Sequence, residues 1–108
     1  MADKKSFLLY FDMYPMIRDL PAEQRGYLLS AMFEYADAAW RSTVDAESIL
    51  QKFPRMGKAA RMAYAFIAAA IYRDTKKWLE KQARYHQAAV ARCENAHRKE
   101  MDSIKQYF

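Results

Sequence analysis

Residues 68–81 read AAAIYRDTKKWLEK, and in them an apolar segment meets a basic one with no helix-breaking residue between. The apolar part begins earlier, in MAYAFIAAAIY over residues 62–72, and is apolar on nearly every side, which is typical of a helix surrounded by others. Because neither Gly nor Pro follows Gly57, nothing in the sequence ends this helix. We therefore predict one helix from about residue 56 onward, with its core segment at 62–72.

The composition favours a single all-α domain. The chain has 108 residues, of which 53% are hydrophobic, and this is enough for one ordinary core but too little for two. It contains only two Gly and three Pro and is rich in residues of high helix propensity. We predict a compact helical domain over residues 1–78 and a long amphipathic, basic C-terminal helix over 79–108, either within the same domain or as a protruding arm.

Two helices are predicted before the core helix. Residues 6–20 are apolar and aromatic and could form a short helix or a strand, and we favour a helix that bends at Pro15. A second helix begins with Pro21 in its first turn. Gly26 inside it predicts a close backbone approach, since Gly costs about 1 kcal/mol against Ala in a helix. Its apolar positions recur at intervals of three and four: Leu28, Leu29, Met32, Phe33, Ala36 and Trp40.

A loop and a short helix connect the second helix to the core helix. Asp45 is the expected N-cap of this short helix, and Pro54 is expected to end it. The large side chains that we expect between the helices of the domain are Trp40, Phe66, Ile67 and Ile71.

An apolar stripe runs along the predicted C-terminal helix at steps of three and four residues. An isolated amphipathic helix is stable mainly through packing of its apolar face, so the stripe needs a covering partner. The alternatives are a second copy of the chain, a fold-back onto the domain near Glu94 and Asn95, or the biological target. A homodimer is favoured because the stripe is self-complementary. The predicted seam consists of Leu79, Val90, Cys93, Met101, Ile104 and Phe108.

The opposite side of the same helix is basic. The chain carries a formal net charge of +5, and residues 73–108 hold nine Lys and Arg against five Asp and Glu. The predicted binding residues are Arg73, Lys77, Lys81, Arg84, Arg92 and Lys99. This face is either an ordinary solvated exterior or a contact for nucleic-acid phosphates or an acidic protein surface. Trp78 and Tyr85 lie near these residues and are candidates for stacking on unpaired bases.

The sequence offers little for catalysis, cofactors or metals. His86, Cys93 and His97 have a spacing that would place three zinc ligands on one helix face, but no suitable fourth ligand is near. There is no glycine-rich phosphate loop, and a nucleophilic Cys93 would have no pocket. We predict a non-enzymatic protein without metal or cofactor.

The cellular setting follows from the cysteine and the apolar runs. One cysteine excludes an intrachain disulfide framework, and the 11-residue apolar run at 62–72 is shorter than the about 20 residues of a membrane span. We expect a cytoplasmic protein of a bacterial host cell, without a membrane partner.

Two stretches resemble a known family. KKSFLLYFDMYPMIRDLPAEQRGYLLSAMFEYA, residues 4–36, and ARMAYAFIAAAIYRDTKKWLEK, residues 60–81, resemble a small domain of unknown function found in phage and prophage proteins. That domain is often found ahead of helix-turn-helix or replication-associated segments. The loop over residues 41–61 is longer than usual for the family, and the basic, glycine-rich tail common in it is missing. The resemblance implies no catalytic residues.

Two functions are compatible with these observations. The favoured one is a phage nucleic-acid-binding module, of a kind associated with replication, that uses the basic face on phosphates. The missing basic tail weakens the link to replication. The alternative is a small phage protein that inhibits a host or defence factor, such as a CRISPR nuclease, by binding it. Binding to naked DNA distinguishes the two.

Overall fold

The structure, a computed structural model, describes the backbone of residues 3–106 and the side-chain surroundings of residues 3–101. Four α-helices occur in this part of the chain, with short 3-10 helices at Phe11–Met13 and Leu50–Lys52. The α-helices are α1 (Tyr14–Arg18), α2 (Ala22–Arg41), α3 (Ala46–Ile49) and α4 (Lys58–Gln106). The described residues contain no strand, which confirms the predicted all-α class with a long C-terminal helix.

Helix α4 is 49 residues long and passes through Glu94 and Asn95 without interruption. It begins where the backbone N–H of Arg61 donates to the carbonyl of Gly57 at 3.0 Å. The guanidinium of Arg61 also donates to the Met56 carbonyl at 2.8 Å, which fixes the turn before the helix. From the other side, Gln24 of α2 accepts from the Gly57 N–H at 2.6 Å and donates to the Arg55 carbonyl at 3.0 Å. The start of α4 is therefore set by side chains of two helices.

The chain divides into two compact units. The N-terminal unit is Asp3–Lys77, and the C-terminal unit begins at Trp78. The buried apolar residues of the described chain all belong to the N-terminal unit, where α2 packs against the first part of α4. Its largest fully buried side chains are Leu28, Met32, Tyr64, Ile67 and Ile71. The core is lined on the α4 side by Ala60, Ala63, Ala68 and Ala70, whose small side chains allow the neighbouring elements to approach closely.

Two of the four predicted core residues are buried as expected. Ile67 and Ile71 are 0% and 2% exposed, whereas Trp40 is only half-buried. The prediction for Phe66 is wrong, because this side chain is 54% exposed. The chain covers only one side of α4, so residues 62–72 do not form a helix surrounded by others. Burial in this segment follows the positions that face α2 rather than the overall apolar character.

The structure also corrects the first elements. Residues 3–10 have no regular secondary structure, and Pro15 lies in the first turn of the short helix α1 instead of bending a longer helix. This position suits proline because the first helical N–H groups need no partner within the helix. The close approach predicted at Gly26 is absent, since a Cβ there would meet nothing within 4 Å. The predicted cap of α3 is confirmed: Asp45 accepts from the backbone N–H of Glu47 at 3.2 Å.

Tyr64 connects the core to the start of α3. Its buried hydroxyl donates to the carbonyl of Ala46 at 2.6 Å, and its ring packs edge-on against Tyr35 with centroids 6.4 Å apart. Burial, together with the neighbouring Tyr35 phenol, raises the pKa of Tyr64 above its ordinary value of 10.0. The folded chain therefore holds this proton more tightly than the unfolded chain. The resulting contribution to stability is present below pH 10.0 and is lost as the pH rises above it.

Tyr64→Phe is expected to destabilise the protein by about 1–2 kcal/mol at neutral pH, because the carbonyl of the half-buried Ala46 loses its donor. The difference in free energy of unfolding between Tyr64→Phe and the unmodified protein should narrow at about pH 11. At that pH only the unmodified protein must retain the Tyr64 proton to stay folded. Urea unfolding at both pH values measures this. Tyr85→Phe, which removes an exposed hydroxyl, is the matched control and should show no gap at either pH. A Tyr64→Phe gap of equal size at both pH values would contradict the argument.

Candidate functional site

The C-terminal unit presents its side chains to solvent. Every described residue from Ala83 to Met101 is exposed, while Trp78, Leu79 and Gln82 are half-buried. Four of the predicted binding residues belong to this unit and are all exposed: Lys81, Arg84, Arg92 and Lys99. We call these four residues the basic stripe. Because they sit on one uninterrupted helix, their relative positions follow directly from helix geometry.

Helix geometry brings the basic stripe onto one side. At about 100° per residue, Lys81, Arg92 and Lys99 lie within about 20° of one line along the helix, and Arg84 lies about 60° from Lys81. Lys81 and Lys99 are separated by about 27 Å at 1.5 Å per residue. This arrangement provides a row of four cations rather than a cluster. It is suited to a partner with repeated negative charges, such as a phosphate backbone.

An exposed aromatic ring lies within this row. Tyr85 is 57% exposed and sits about 40° from Lys81 around the helix. The ammonium group of Lys81 lies 5.7 Å from the centroid of the Tyr85 ring, a cation–π distance. Trp78, the other stacking candidate, is half-buried and makes an interaction of its own. Tyr85 is therefore the aromatic residue best placed to stack on a ligand in this unit.

The remaining two predicted binding residues belong to the N-terminal unit. Arg73 and Lys77 are exposed, but they are not part of the compact unit that carries the basic stripe. The nearby carboxylate of Asp74 accepts a hydrogen bond from the Tyr10 hydroxyl at 2.6 Å. This bond, with a smaller effect of burial, raises the pKa of Tyr10. Asp74 is thus engaged by Tyr10 and forms no ion pair with Arg73 or Lys77.

No carboxylate of residues 3–101 forms an ion pair with any of the six predicted binding residues. The ion pairs in that part of the chain join Arg18 to Asp19, Arg41 to Asp37 and Lys52 to Glu34. Glu80, which is exposed beside Lys81 in sequence, is not among them. Within residues 3–101, none of these six cations is neutralised by a contacting carboxylate.

The predicted apolar seam is exposed where its side chains are described. Val90, Cys93 and Met101 are exposed, and Leu79 is half-buried. Ile104 and Phe108 fall outside the residues whose side chains are described. A second copy, a fold-back or the biological target was expected to cover this seam. Within the single chain, Val90, Cys93 and Met101 are not covered.

The candidate zinc ligands lie on the same exposed helix. His86, Cys93 and His97 are all exposed. Among residues 3–101, no group of three or more His, Cys, Asp or Glu side chains is placed to hold a metal ion. In the same part of the chain, no helix combines the length and apolar character needed to cross a membrane.

The sequence did not predict a cleft in the N-terminal unit. It has a volume of about 440 Å³ and lies between residues 4–9 and α2, with the rings of Phe7, Phe33 and Trp40 among its lining. The Phe7 and Phe33 rings meet edge to face with centroids 5.1 Å apart. The cleft depends on residues 4–9 lying unwound along α2, whereas the apolar pattern of 6–20 predicted a helix. The sequence signal for this cleft is the number of apolar positions in α2. Some of these positions, such as Phe33, lie outside the core and line the cleft.

Comparison with known proteins gives a family without an assigned activity. A model described as a family of unknown function, DUF6291, matches residues 6–100. No curated protein and no solved structure matches the chain. The match covers most of the sequence, and the chain therefore belongs to the DUF6291 family.

Proposed function

We propose that this member of the DUF6291 family is a non-enzymatic module that binds nucleic acid through the basic stripe of its C-terminal unit. The observation that carries the proposal is the row of four exposed cations on one side of an uninterrupted helix, with Tyr85 exposed between them. The phage or prophage setting implied by the family resemblance agrees with a replication-associated role. Arg73 and Lys77 are proposed as additional phosphate contacts from the N-terminal unit.

Charge and spacing support phosphate binding without base recognition. Lys and Arg side chains are flexible, so a row about 27 Å long reaches several successive phosphates of a single strand or of one duplex groove edge. Such contacts position a protein on nucleic acid but carry no sequence information. We therefore expect similar affinity for unrelated sequences.

Tyr85 favours single strands over duplexes. Unpaired bases stack on exposed aromatic rings, and each stacked base contributes about 1–3 kcal/mol. Lys81, whose ammonium lies 5.7 Å from the centroid of the Tyr85 ring, would contact the adjoining phosphate at the same time. Tyr85→Ala should weaken binding to a single strand while leaving duplex binding nearly unchanged, and Tyr85→Phe should preserve both.

The central test is the salt dependence of binding. If all four cations of the basic stripe neutralise phosphates, the affinity for a duplex should fall with a log–log slope of about 3.6, and that for a single strand with a slope of about 2.8. Changing Lys81, Arg84, Arg92 and Lys99 to Gln should remove most of this slope. Fluorescence anisotropy with labelled 20-nucleotide probes, about the length that covers the row, measures both.

A matched control separates the basic stripe from overall charge. Changing Lys5, Arg25, Lys52 and Arg55 to Gln removes the same number of exposed cations, all from the N-terminal unit, and lowers the formal net charge from +5 to +1 in the same way. This control variant should keep most of the affinity and slope. Equal losses in the two variants, or no binding at low salt by the unmodified protein, would refute the proposed site.

A second candidate function is favoured by the exposed apolar seam on the side of α4 opposite the basic stripe. Val90 and Met101 are the type of side chain that protein interfaces bury, which suits a contact with a second copy or with an acidic or nucleic-acid-binding protein. In this candidate the chain is a phage inhibitor of a host or defence factor such as a CRISPR nuclease. Affinity capture from host cells with and without nuclease treatment separates the two functions, because only a direct protein partner survives removal of nucleic acid.

A further inference from the structure

The outward side of α4 in the N-terminal unit exposes large apolar side chains. Met62 and Phe66 lie one turn apart and are 65% and 54% exposed. Ala59, Ala65 and Ala69 are exposed around them, while the opposite side of the helix is buried in the core through residues such as Ile67. Burial of a side chain of this size is favourable by about 1.5–3 kcal/mol. The chain itself leaves both Met62 and Phe66 exposed to water.

The same side of α4 is basic at both ends. Lys58 lies at its start and Arg73, Lys76 and Lys77 lie at its end, all exposed. By helix geometry these four residues lie within about 60° of the line that runs between Met62 and Phe66. We call this surface the outer face of α4: Lys58, Met62, Phe66, Ala69, Arg73, Lys76 and Lys77.

Two carboxylates on the flanks of the outer face are engaged elsewhere, and Glu80 lies beyond its Lys77 end. Asp74 lies about 100° around the helix from Arg73 and accepts the Tyr10 hydroxyl. Asp45 lies on one flank, beside Ala65 and Ala69, and there it caps the N-terminus of α3. The outer face itself therefore has an apolar centre between two positive ends.

We propose that the outer face of α4 binds an amphipathic helix of a partner protein that has an apolar centre and acidic ends. The occupant is a helix because Met62 and Phe66 project from one helix while Ala65 and Ala69 leave a shallow groove beside them, the surface into which the side-chain ridge of a second helix packs. The acidic ends follow from charge complementarity with Lys58 and Arg73. A nucleic acid would leave the apolar centre unused.

A second copy of this chain does not fit the same surface. Antiparallel packing centred on Phe66 brings Lys58 of one copy next to the basic end of the other, and parallel packing superposes identical charges. Like charges held together at an interface disfavour association. The proposed partner also differs from that of the basic stripe, although Arg73 and Lys77 are proposed contacts of both. The apolar centre at Met62 and Phe66 takes no part in phosphate binding and belongs to the N-terminal unit.

The test uses a synthetic helical peptide as the probe. An Ala-based peptide of about 19 residues spans the about 29 Å from Lys58 to Lys77. It carries Leu on one face of its central turns and Glu at both ends, and a second peptide has Lys in place of every Glu. We expect the unmodified protein to bind the Glu peptide and not the Lys peptide. Labelling the methionine methyl groups with carbon-13 reports the location: the Met62 signal should shift on binding, whereas that of the buried Met32 should not.

Phe66→Asp should weaken binding of the Glu peptide by at least about tenfold, as expected for the loss of a central apolar contact. Leu29→Asp is the matched control: it places the same charge at an exposed apolar position of α2 and should leave binding unchanged. Phe66→Ser, which adds no charge, should also weaken binding. Thermal melts establish that all variants are folded.

Several results would overturn the proposal. These are no binding of the Glu peptide, equal binding of both peptides, equal loss in Phe66→Asp and Leu29→Asp, or peptide binding without a shift at Met62. Sedimentation that shows a dimer of the unmodified protein and a monomer of Phe66→Asp would also overturn it, because a second copy would then cover the outer face.

Discussion

Ile67→Ala is expected to lower the free energy of unfolding by about 2–5 kcal/mol, the usual cost of truncating a fully buried aliphatic side chain. Ile67 is 0% exposed and lies with Leu28, Met32 and Ile71 in the core between α2 and α4. The total stability of a small domain is about 5–15 kcal/mol, so this single change removes a large share of it. Chemical unfolding in urea, followed by circular dichroism, measures the loss.

The neighbouring residue provides the control. Phe66→Ala removes a larger side chain one position away, but Phe66 is exposed, so the expected change is only about 0.5 kcal/mol. The two substitutions together test which side of α4 is buried. A large loss from Phe66→Ala with a small loss from Ile67→Ala would show that α4 is rotated about its axis, with Phe66 in the core.

Amide hydrogens of residues 83–101 are expected to exchange more than about a hundredfold faster than those of residues 63–71. The slow set lies in the packed core, where exchange requires unfolding of the whole N-terminal unit, and a stability of at least about 5 kcal/mol gives a protection of more than a thousandfold. The fast set lies on the part of α4 from Ala83 to Met101, where every described side chain is exposed. A helix without tertiary packing is only marginally stable, with protection of about tenfold or less.

Ligands allow the same measurement to locate the binding site. A nucleic-acid probe bound to the basic stripe should slow exchange over residues 81–99 and leave the already slow residues 63–71 unchanged. Equally slow exchange in both segments without any ligand would contradict the expectation. If that protection disappeared on dilution, it would show that a second copy covers the apolar seam.

Much of the candidate site follows from periodicity alone. The four cations of the basic stripe share one side of α4 because their spacings are close to whole helical turns, and the absence of Gly and Pro after Gly57 keeps that register for the rest of the helix. The exposure of Tyr85 did not follow from the sequence, since most tyrosines at helical spacing are buried. It became evident only from the surroundings of the side chain.

The outer face of α4 and the cleft beside α2 were not predictable in the same way. Met62, Phe66 and Ile67 lie in one apolar run, and composition gives all three the same preference for burial. Which of them is buried depends on the number of elements available to cover the helix. Similarly, Phe7 reaches Phe33 only because residues 3–10 remain unwound along α2.

The sequence by itself determined the local elements: the all-α class, the Asp45 cap of α3, and the passage of α4 from its apolar into its basic segment. That α4 also continues through Glu94 and Asn95 was decided only by the structure. These depend on interactions within a few residues, such as helix propensity, capping and the absence of breakers, so a short window of sequence contains their causes. Only the tertiary structure decided that Ile67 is buried and Phe66 exposed, and that Gly26 faces open space. Those outcomes depend on contacts between segments far apart in the chain. When an apolar run has more surface than the other elements can cover, the run itself does not specify which of its sides remains in water.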